Sequence, residues 1–284
     1  MIIVDFFAAC APLLLASYGA TITEYAGVMA VYIEGLMNLG GFLSFAFAVL
    51  FKNPYIGFIA SMFIIGIYIY LISIFTEKTK SNSFLVGLGI NLLSTGLISV
   101  FSQTFFHTRG VVAFNTVLNT SASYYSMFQT LPEYTKIQGS ILTIIACTVI
   151  ALVIHITTFG LHIRIASKSP NALISSGLDP AFYRKISWLI CGILAAASGT
   201  FKVYRISSFV PNISSGLGWI ALVCVYLGRS TFPGVTLAAM VFSLAEISGI
   251  YLQNISNIIS PTVILALPYI ISLAAFILIP DKNK

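Results

Sequence analysis

Nine long apolar runs, separated by short polar stretches, set the organisation of this chain. They lie near residues 2–22, 26–50, 55–76, 84–106, 139–159, 187–206, 216–229, 234–252 and 262–280. An α-helix needs about 20 apolar residues to cross a bilayer, and most of the runs approach that length. The seventh run is short for a full crossing, so we expect it to be tilted, broken or re-entrant. The pattern predicts an all-α, polytopic transmembrane bundle of about nine helices (eight to ten) that forms a single domain over residues 1–284.

The composition agrees with a protein embedded in a lipid bilayer. Hydrophobic residues make up 58% of the chain and charged residues 8%, whereas a soluble domain has roughly 25% charged residues. The net charge of +6 does not indicate binding to nucleic acid, because the basic residues lie in short loops and not along a stripe. The four cysteines all fall inside apolar runs, without the spacing of a metal or redox site. We therefore expect buried cysteines and no metal centre.

Basic residues concentrate in the polar segment 160–186, where four of them face a single acid, Asp179. An excess of lysine and arginine is typical of cytoplasmic loops. Alternation from this segment then places nine Lys and Arg residues on the cytoplasmic side. The charge pattern predicts an outside N-terminus, an inside C-terminus and a long outer loop over residues 107–138.

The same segment contains a short helix whose two ends can be recognised in the sequence. Ser169 can cap its N-terminus, Pro170 suits its first position, and Gly177 can end it in a left-handed conformation. Asp179 followed by Pro180 repeats the start signal before the next apolar run. A capped helix on the cytoplasmic face of a membrane protein suits docking, so we expect a soluble partner there.

Polar side chains inside the apolar runs are the candidates for solute contact. Glu34 is predicted to lie in the middle of the second helix, where a carboxylate is unfavourable unless it is paired. Asn91 and Glu246 occupy similar positions in the fourth and eighth helices, and Tyr32 offers a ring for stacking. Glu34 either lines a solute path or is hydrogen-bonded across helices to hold the fold together, and the two roles are compatible.

The chain lacks the motifs of the common nucleotide-hydrolysing and hydrolytic enzymes. It has no Gly-x-x-x-x-Gly-Lys-[Ser/Thr], His-Glu-x-x-His, Gly-x-Ser-x-Gly or paired Cys-x-x-Cys pattern. We therefore expect no catalytic residue and no cofactor in this chain, so that active transport would need ATP hydrolysis by another one. Proton-driven transport is less favoured, because the three histidines lie at helix ends or in loops and no inverted repeat is visible.

Four segments, in order, resemble the motifs of one family of membrane proteins. They are Ile22-Thr23-Glu24-Tyr25-Ala26-Gly27-Val28 followed by Ile33-Glu34-Gly35-Leu36-Met37-Asn38-Leu39-Gly40-Gly41, then Val86-Gly87-Leu88-Gly89-Ile90-Asn91-Leu92-Leu93, then residues 160–177, and finally Ser215-Gly216-Leu217-Gly218-Trp219-Ile220-Ala221-Leu222 through Gly228-Arg229. The family comprises the permease subunits of ABC importers for nucleosides, simple sugars and branched-chain amino acids. The spacing most resembles the smaller permease of the nucleoside branch, which is linked to BMP-type lipoproteins.

The resemblance implies a set of partners and a location. The chain would pair with a second, homologous permease over ATPase subunits that bind ATP and Mg²⁺, and an extracytoplasmic solute-binding lipoprotein would feed it. It would lie in the bacterial cytoplasmic membrane as a multi-pass protein. The short helix would be the coupling helix that seats in the ATPase, through Arg164, Ser169, Pro170, Asn171, Ala172 and Gly177. The chain departs from the family pattern at Ala30, where asparagine is usual.

Residues and resemblance together favour a permease that imports nucleosides, purines above all, along a path near Tyr32, Glu34, Asn91 and Glu246. Riboflavin or a simple sugar in the same architecture is the alternative within this class. An ion-coupled secondary transporter or a channel is the alternative from another class. A purely structural or assembly subunit is a third hypothesis.

Overall fold

The computed structural model describes residues 2–255, and these residues are mostly helical. Four long helices come first: α1 (Ile2–Tyr25), α2 (Ile33–Phe51), α3 (Pro54–Thr79) and α4 (Ser83–Phe106). The next segment holds β1 (Val112–Ala113), α5 (Phe114–Val117), α6 (Tyr125–Gln129) and α7 (Leu131–Tyr134). A π-helical turn (Thr135–Gly139) leads into α8 (Ser140–Ile156), α9 (Thr158–Lys168) and α10 (Pro170–Ser175). The last elements are α11 (Pro180–Ile206), β2 (Ser208–Phe209), α12 (Leu217–Leu227) and α13 (Phe232–Ile255).

Seven helical segments of the described residues are long and apolar enough to cross a membrane. They correspond to the first six and the eighth of the predicted apolar runs, which confirms the all-α transmembrane class. The seventh run forms α12, which has 11 residues. At roughly 1.5 Å per residue, α12 spans about half of a bilayer core that is roughly 30 Å thick. The predicted ninth run, 262–280, lies outside the described residues.

The prediction that the second helix begins near residue 26 is wrong. α1 ends at Tyr25, residues 26–32 form a turn, and α2 begins at Ile33. Gly27 has a φ of +79°, in the left-handed region that glycine adopts readily. The turn is itself apolar, so the hydropathy pattern runs through it without a visible interruption.

A side chain from α4 stabilises this break. The Asn91 amide nitrogen donates a hydrogen bond to the Val31 carbonyl oxygen (2.9 Å), and the Asn91 Oδ1 accepts one from the Gly35 N–H (2.8 Å). The amide thereby satisfies one backbone group on each side of the helix start, groups that a helix end leaves without intrahelical partners.

The segment 160–186 is helical, where a loop containing one short helix was predicted. It contains α9 and α10, and α11 begins at Pro180 and not near residue 187. Asp179 accepts a hydrogen bond from the Ala181 N–H (2.9 Å), so this start signal is confirmed. Arg184 then forms two hydrogen bonds with Glu77 at the end of α3 (2.9 and 3.0 Å). The charged ends of α3 and α11 therefore lie on one side, as the predicted alternation requires.

The centre of the bundle is α11, which packs against α1, α2 and α3. Small residues allow α2 and α11 to approach closely, which is how membrane helices pack without bulky side chains between them. A Cβ at Gly40 would lie 2.5 Å from the Ala196 Cα, and one at Gly41 would lie 3.1 Å from the Gly199 carbonyl oxygen. Gly40 and Gly41 are therefore packing residues in this conformation.

The predicted outer loop covers one end of the bundle. Its strand β1 pairs with β2 in antiparallel register, with Val112 opposite Phe209. Phe114 stacks on Phe45 of α2, with ring centroids 4.5 Å apart. Lys136 forms an ion pair with Asp5 of α1 (3.2 Å). The start of α1, the end of α11 and the outer loop thus share one face of the bundle.

Candidate functional site

Glu34 lies where the N-terminal ends of two helices meet. It is the second residue of α2, and its carboxylate reaches the start of α12. The Gly216 N–H donates to Oε1 (2.8 Å), the Gly218 N–H donates to Oε2 (2.7 Å), and the Ser214 hydroxyl donates to Oε1. The prediction that Glu34 lies in the middle of a helix is wrong, because the break at residues 26–32 moves the helix start to Ile33.

This position explains how an acidic side chain is tolerated in an apolar bundle. Helix N-termini carry partial positive charge and unpaired N–H groups, and they favour a carboxylate by about 0.3–1 kcal/mol at exposed sites, and more where solvent is excluded. Hydrogen bonds to a carboxylate are also stronger than those between neutral groups. The contacts agree with a fold-holding role for Glu34, whereas a role in the solute path remains a prediction.

Two glycines make the approach of α12 to Glu34 possible. Gly216 has a φ of +85°, which side chains with a Cβ rarely adopt. A Cβ at Gly218 would lie 2.6 Å from the Glu34 backbone nitrogen and 2.7 Å from its Cα. The Ser-Gly-Leu-Gly sequence at 215–218 therefore supplies a left-handed residue at Gly216 and, at Gly218, a close contact that a Cβ would prevent.

Asn38, one turn after Glu34 on α2, fastens the same segment. Its amide nitrogen donates to the Glu34 carbonyl oxygen (3.1 Å) and to the Asn212 Oδ1 (3.2 Å), and its Oδ1 accepts from the Ser214 N–H (3.0 Å). We call the contacts of α2 with residues 212–218 the Glu34 clamp. The sequence reasoning did not single out Asn38, Asn212 or Ser214, although Asn38 stands inside one of the motifs it quoted.

A cavity of about 500 Å³ opens beside the clamp, between α2, α4 and the segment that leads into α12. Sites for small molecules have volumes of roughly 300–1,000 Å³. Besides Ile98 and Pro211, the lining residues are polar: Asn38, Thr95, Ser99, Ser102, Arg109 and Asn212. The cavity can therefore hold a small, polar solute through hydrogen bonds, and we regard it as the candidate solute site.

Of the four predicted pathway residues, Tyr32 and Asn91 lie next to the clamp but do not line this cavity. Tyr32 is fully buried, and its ring stacks on Trp188 of α11 with centroids 4.5 Å apart. Asn91 holds the backbone at the start of α2 through its contacts with Val31 and Gly35. Both residues support the helix break from which Glu34 and Asn38 project.

Glu246 belongs to a different part of the bundle. It lies on α13 and accepts a hydrogen bond from the Lys202 ammonium of α11 at 3.3 Å. The ion pair gives this acid a partner within the span, which is how charged groups persist in membrane helices. The structure does not bring Glu246 together with Glu34, and neither carboxylate lines the candidate solute site.

A short helix, α10, forms where the coupling helix is predicted, and one of its faces is exposed in the described part of the structure. Leu173 is buried and fixes α10 to the bundle, whereas Ile174 is 61% exposed. Asn171 and Ala172 are exposed as well, and Gly177 has a φ of +77°. Ser169 occupies the N-cap position, as predicted, although its side chain makes no capping hydrogen bond to the described residues. The exposed face of α10 suits a partner on the side opposite the β1–β2 pair.

Arg164 lies on α9, just before α10, and its guanidinium approaches His155 Nδ1 (3.4 Å). The end of α9 also contacts the break between α1 and α2. A Cβ at Gly27 would lie 2.8 Å from the Ser167 Oγ. The turn at Gly27 thus packs against the end of α9 on one side and leads into α2, which carries Glu34, on the other.

All four cysteines are buried, as predicted. Within the described part of the chain, no group of three or more His, Cys, Asp or Glu side chains is placed to bind a metal ion.

Residues 2–280 match the protein family described as branched-chain amino acid transport system / permease component. The nucleoside ABC transporter permease protein NupC of Lactococcus lactis subsp. cremoris is 26% identical over 290 residues, which cover 95% of this chain and 89% of that protein. The guanosine ABC transporter permease protein NupQ of Bacillus subtilis is 26% identical over 292 residues, with 93% and 87% covered. The putative glucose ABC transporter permease protein TsgC13 of Haloferax volcanii is 25% identical over 262 residues, with 89% and 78% covered.

A solved structure has a similar fold. PsaBC from Streptococcus pneumoniae in complex with Fab matches with a TM-score of 0.52 and 15% sequence identity, over 98% of this chain and 92% of that one. The relatives are transport subunits, so the prediction that the chain is not an enzyme is confirmed. A permease of this class works with a separate ATPase and a solute-binding partner. Because the family match extends over nearly the whole chain, this protein belongs to the branched-chain amino acid transport system / permease component family and is a membrane-spanning permease subunit of an ABC transporter.

Proposed function

We propose that this chain forms the solute path of an ATP-driven importer of nucleosides, purine nucleosides above all. The observation that carries the proposal is the likeness, over nearly the whole chain, to permeases named for nucleosides and for guanosine. The amide and hydroxyl groups that line the candidate solute site suit the ribose hydroxyls and the base edge of a neutral nucleoside.

The proposed mechanism starts at the cytoplasmic face. The partner ATPase holds ATP and Mg²⁺ and seats the exposed face of α10. Its movement reaches α9, whose Ser167 contacts the turn at Gly27. This turn sets the start of α2, which carries both Glu34 and Asn38. A rocking of α2 and α12 as one unit, held together by the Glu34 clamp, against α4 would then open the site to one side of the membrane at a time, as two-state gating requires.

The proposed assembly contains a second, homologous permease and an extracytoplasmic solute-binding lipoprotein, in a bacterial cytoplasmic membrane. A second permease is supported by the likeness of part of this chain to NupB of Lactococcus lactis, which is 26% identical over 110 residues. The β1–β2 pair and the short helices around it form the face that a delivering protein would meet.

A reconstituted transporter tests the solute. We expect proteoliposomes that contain this chain, its partner permease, its ATPase and its binding lipoprotein to take up labelled guanosine only with ATP. Excess unlabelled riboflavin or glucose should not compete, because neither presents a purine edge. The measurement is the initial uptake rate with ATP, without ATP, and with each competitor.

Two outcomes would contradict the proposal in different ways. ATP-dependent import of glucose or riboflavin without guanosine uptake would keep the transporter and change its solute. Of these two alternative solutes, glucose has the stronger support, since one relative is named for it. Uptake that continues without the ATPase would favour a channel or a secondary transporter.

A further inference from the structure

The candidate solute site contains some hydrogen-bond donors that are already used by protein groups and others that have no partner among the described residues. Within residues 2–255, the hydroxyls of Thr95 and Ser102 donate to the carbonyl oxygens of Asn91 (3.0 Å) and Thr108 (2.8 Å). Both amide functions of Asn38 are occupied by the Glu34 clamp. These three side chains therefore have few donors left for a solute.

The donors that remain are on three other residues. Asn212 accepts from Asn38 through Oδ1, and its NH₂ group makes no hydrogen bond to the described residues. The Ser99 hydroxyl and the Arg109 guanidinium likewise have no hydrogen-bond partner in the described part of the chain. No carboxylate lines the cavity there, so the guanidinium, with five N–H groups, is its main unused polar group.

We propose that Arg109 reads the nucleobase and gives this site a preference for 6-oxopurine nucleosides, such as guanosine and inosine, over adenosine. The inference rests on the proposed nucleoside function. Guanine and hypoxanthine present two neighbouring acceptors, O6 and N7, which match two N–H groups of a guanidinium. Adenine presents N7 beside an amino group, so one of the two donors would face another donor.

The experiment compares labelled guanosine, inosine and adenosine in the complete reconstituted transporter. One variant is Arg109→Gln, which removes both the charge and the parallel N–H groups of the guanidinium. The other is Arg109→Lys, which keeps the charge but cannot form two parallel hydrogen bonds. Arg205→Gln is the matched control, because Arg205 lies at the end of α11 on the same side of the bundle and does not line the cavity. The binding lipoprotein is the same in all samples, so its own preference cancels in variant-to-wild-type ratios.

We expect Arg109→Gln to raise the KM for guanosine and inosine roughly tenfold, with little change for adenosine. This is the effect of losing one bidentate hydrogen-bond contact to a base. The KM values of Arg109→Lys for guanosine and inosine should lie between those of the wild type and of Arg109→Gln, and those of Arg205→Gln should match the wild type. An equal loss for all three nucleosides would overturn the inference and indicate that Arg109 meets the binding lipoprotein or supports the loop. Unchanged KM values would overturn it as well. A wild type that imports no nucleoside would instead refute the proposed function.

Discussion

Replacing Glu34 by alanine is expected to reduce import at least tenfold while the chain still binds its ATPase. The substitution removes the carboxylate that accepts from Ser214, Gly216 and Gly218. Each donor that is left without a partner in a buried position costs about 1–3 kcal/mol. The start of α12 should therefore detach from α2 and deform the solute site, whereas α10 lies elsewhere and keeps its surface.

The measurement pairs ATP-dependent uptake with co-purification of the ATPase. Glu24→Ala is the matched control, because Glu24 is also an acid near the break but is exposed at the end of α1. Glu34→Gln should retain part of the activity, since one carbonyl oxygen still accepts hydrogen bonds while its NH₂ group meets a backbone donor. Wild-type uptake by Glu34→Ala would show that the clamp is dispensable for transport.

Replacing Gly177 by valine is expected to abolish binding of the ATPase. Gly177 has a φ of +77°, and a β-branched residue is strongly disfavoured in that region. No atom lies within 4 Å of the position that its Cβ would take, so the effect is conformational and not a clash. The turn after α10 would have to reorganise, and this would displace the exposed face that carries Ile174 and Asn171.

A second substitution at the same site separates conformation from size. Asparagine tolerates the left-handed region, so Gly177→Asn should keep ATPase binding and uptake close to the wild type. The readout is the amount of ATPase that remains bound to the purified permease in detergent. Full binding by Gly177→Val would contradict the docking role of α10.

The features that can be predicted from this sequence are those fixed by residues that lie close together along the chain. The ends of α10 and the start of α11 could be predicted because Pro170, Gly177 and Asp179 act on residues within one turn of themselves. The number and order of the apolar runs followed from hydropathy alone. The seventh run was predicted to be short for a full crossing, and the 11 residues of α12 confirm this, since the length of a helix follows directly from its residue count.

The Glu34 clamp could not be predicted from local patterns. The break before α2 depends on Asn91, which is 56 residues away from Gly35, and the partners of the Glu34 carboxylate lie about 180 residues further along the chain. The run from 26 to 50 remains apolar through the break, so the helix seemed continuous and Glu34 seemed central. Only the glycines at 216 and 218 gave a local indication of a turn and a close approach.

The solute site also required tertiary information. Asn38, Ser99 and Asn212 come from three separate elements, and each alone resembles an ordinary polar residue in or near a membrane helix. Glu34 and Glu246 were predicted as pathway residues because a charged side chain inside the bilayer is energetically unfavourable and therefore draws attention. In the structure, however, Glu34 is bound in the clamp and Glu246 is paired with Lys202. Amides and hydroxyls are less costly in a span, so they attract less notice in a sequence even where they line a cavity.

The most direct test of the solute site is the alkylation rate of a cysteine placed in it. In Ser99→Cys the thiol would line the cavity, and the four native cysteines are buried. Thr116→Cys, exposed on the outer segment and outside the cavity, is the control. During ATP-driven turnover, we predict that guanosine slows maleimide labelling of Ser99→Cys and leaves that of Thr116→Cys unchanged. Equal labelling of Ser99→Cys with and without guanosine, in a transporter that imports guanosine, would contradict the account.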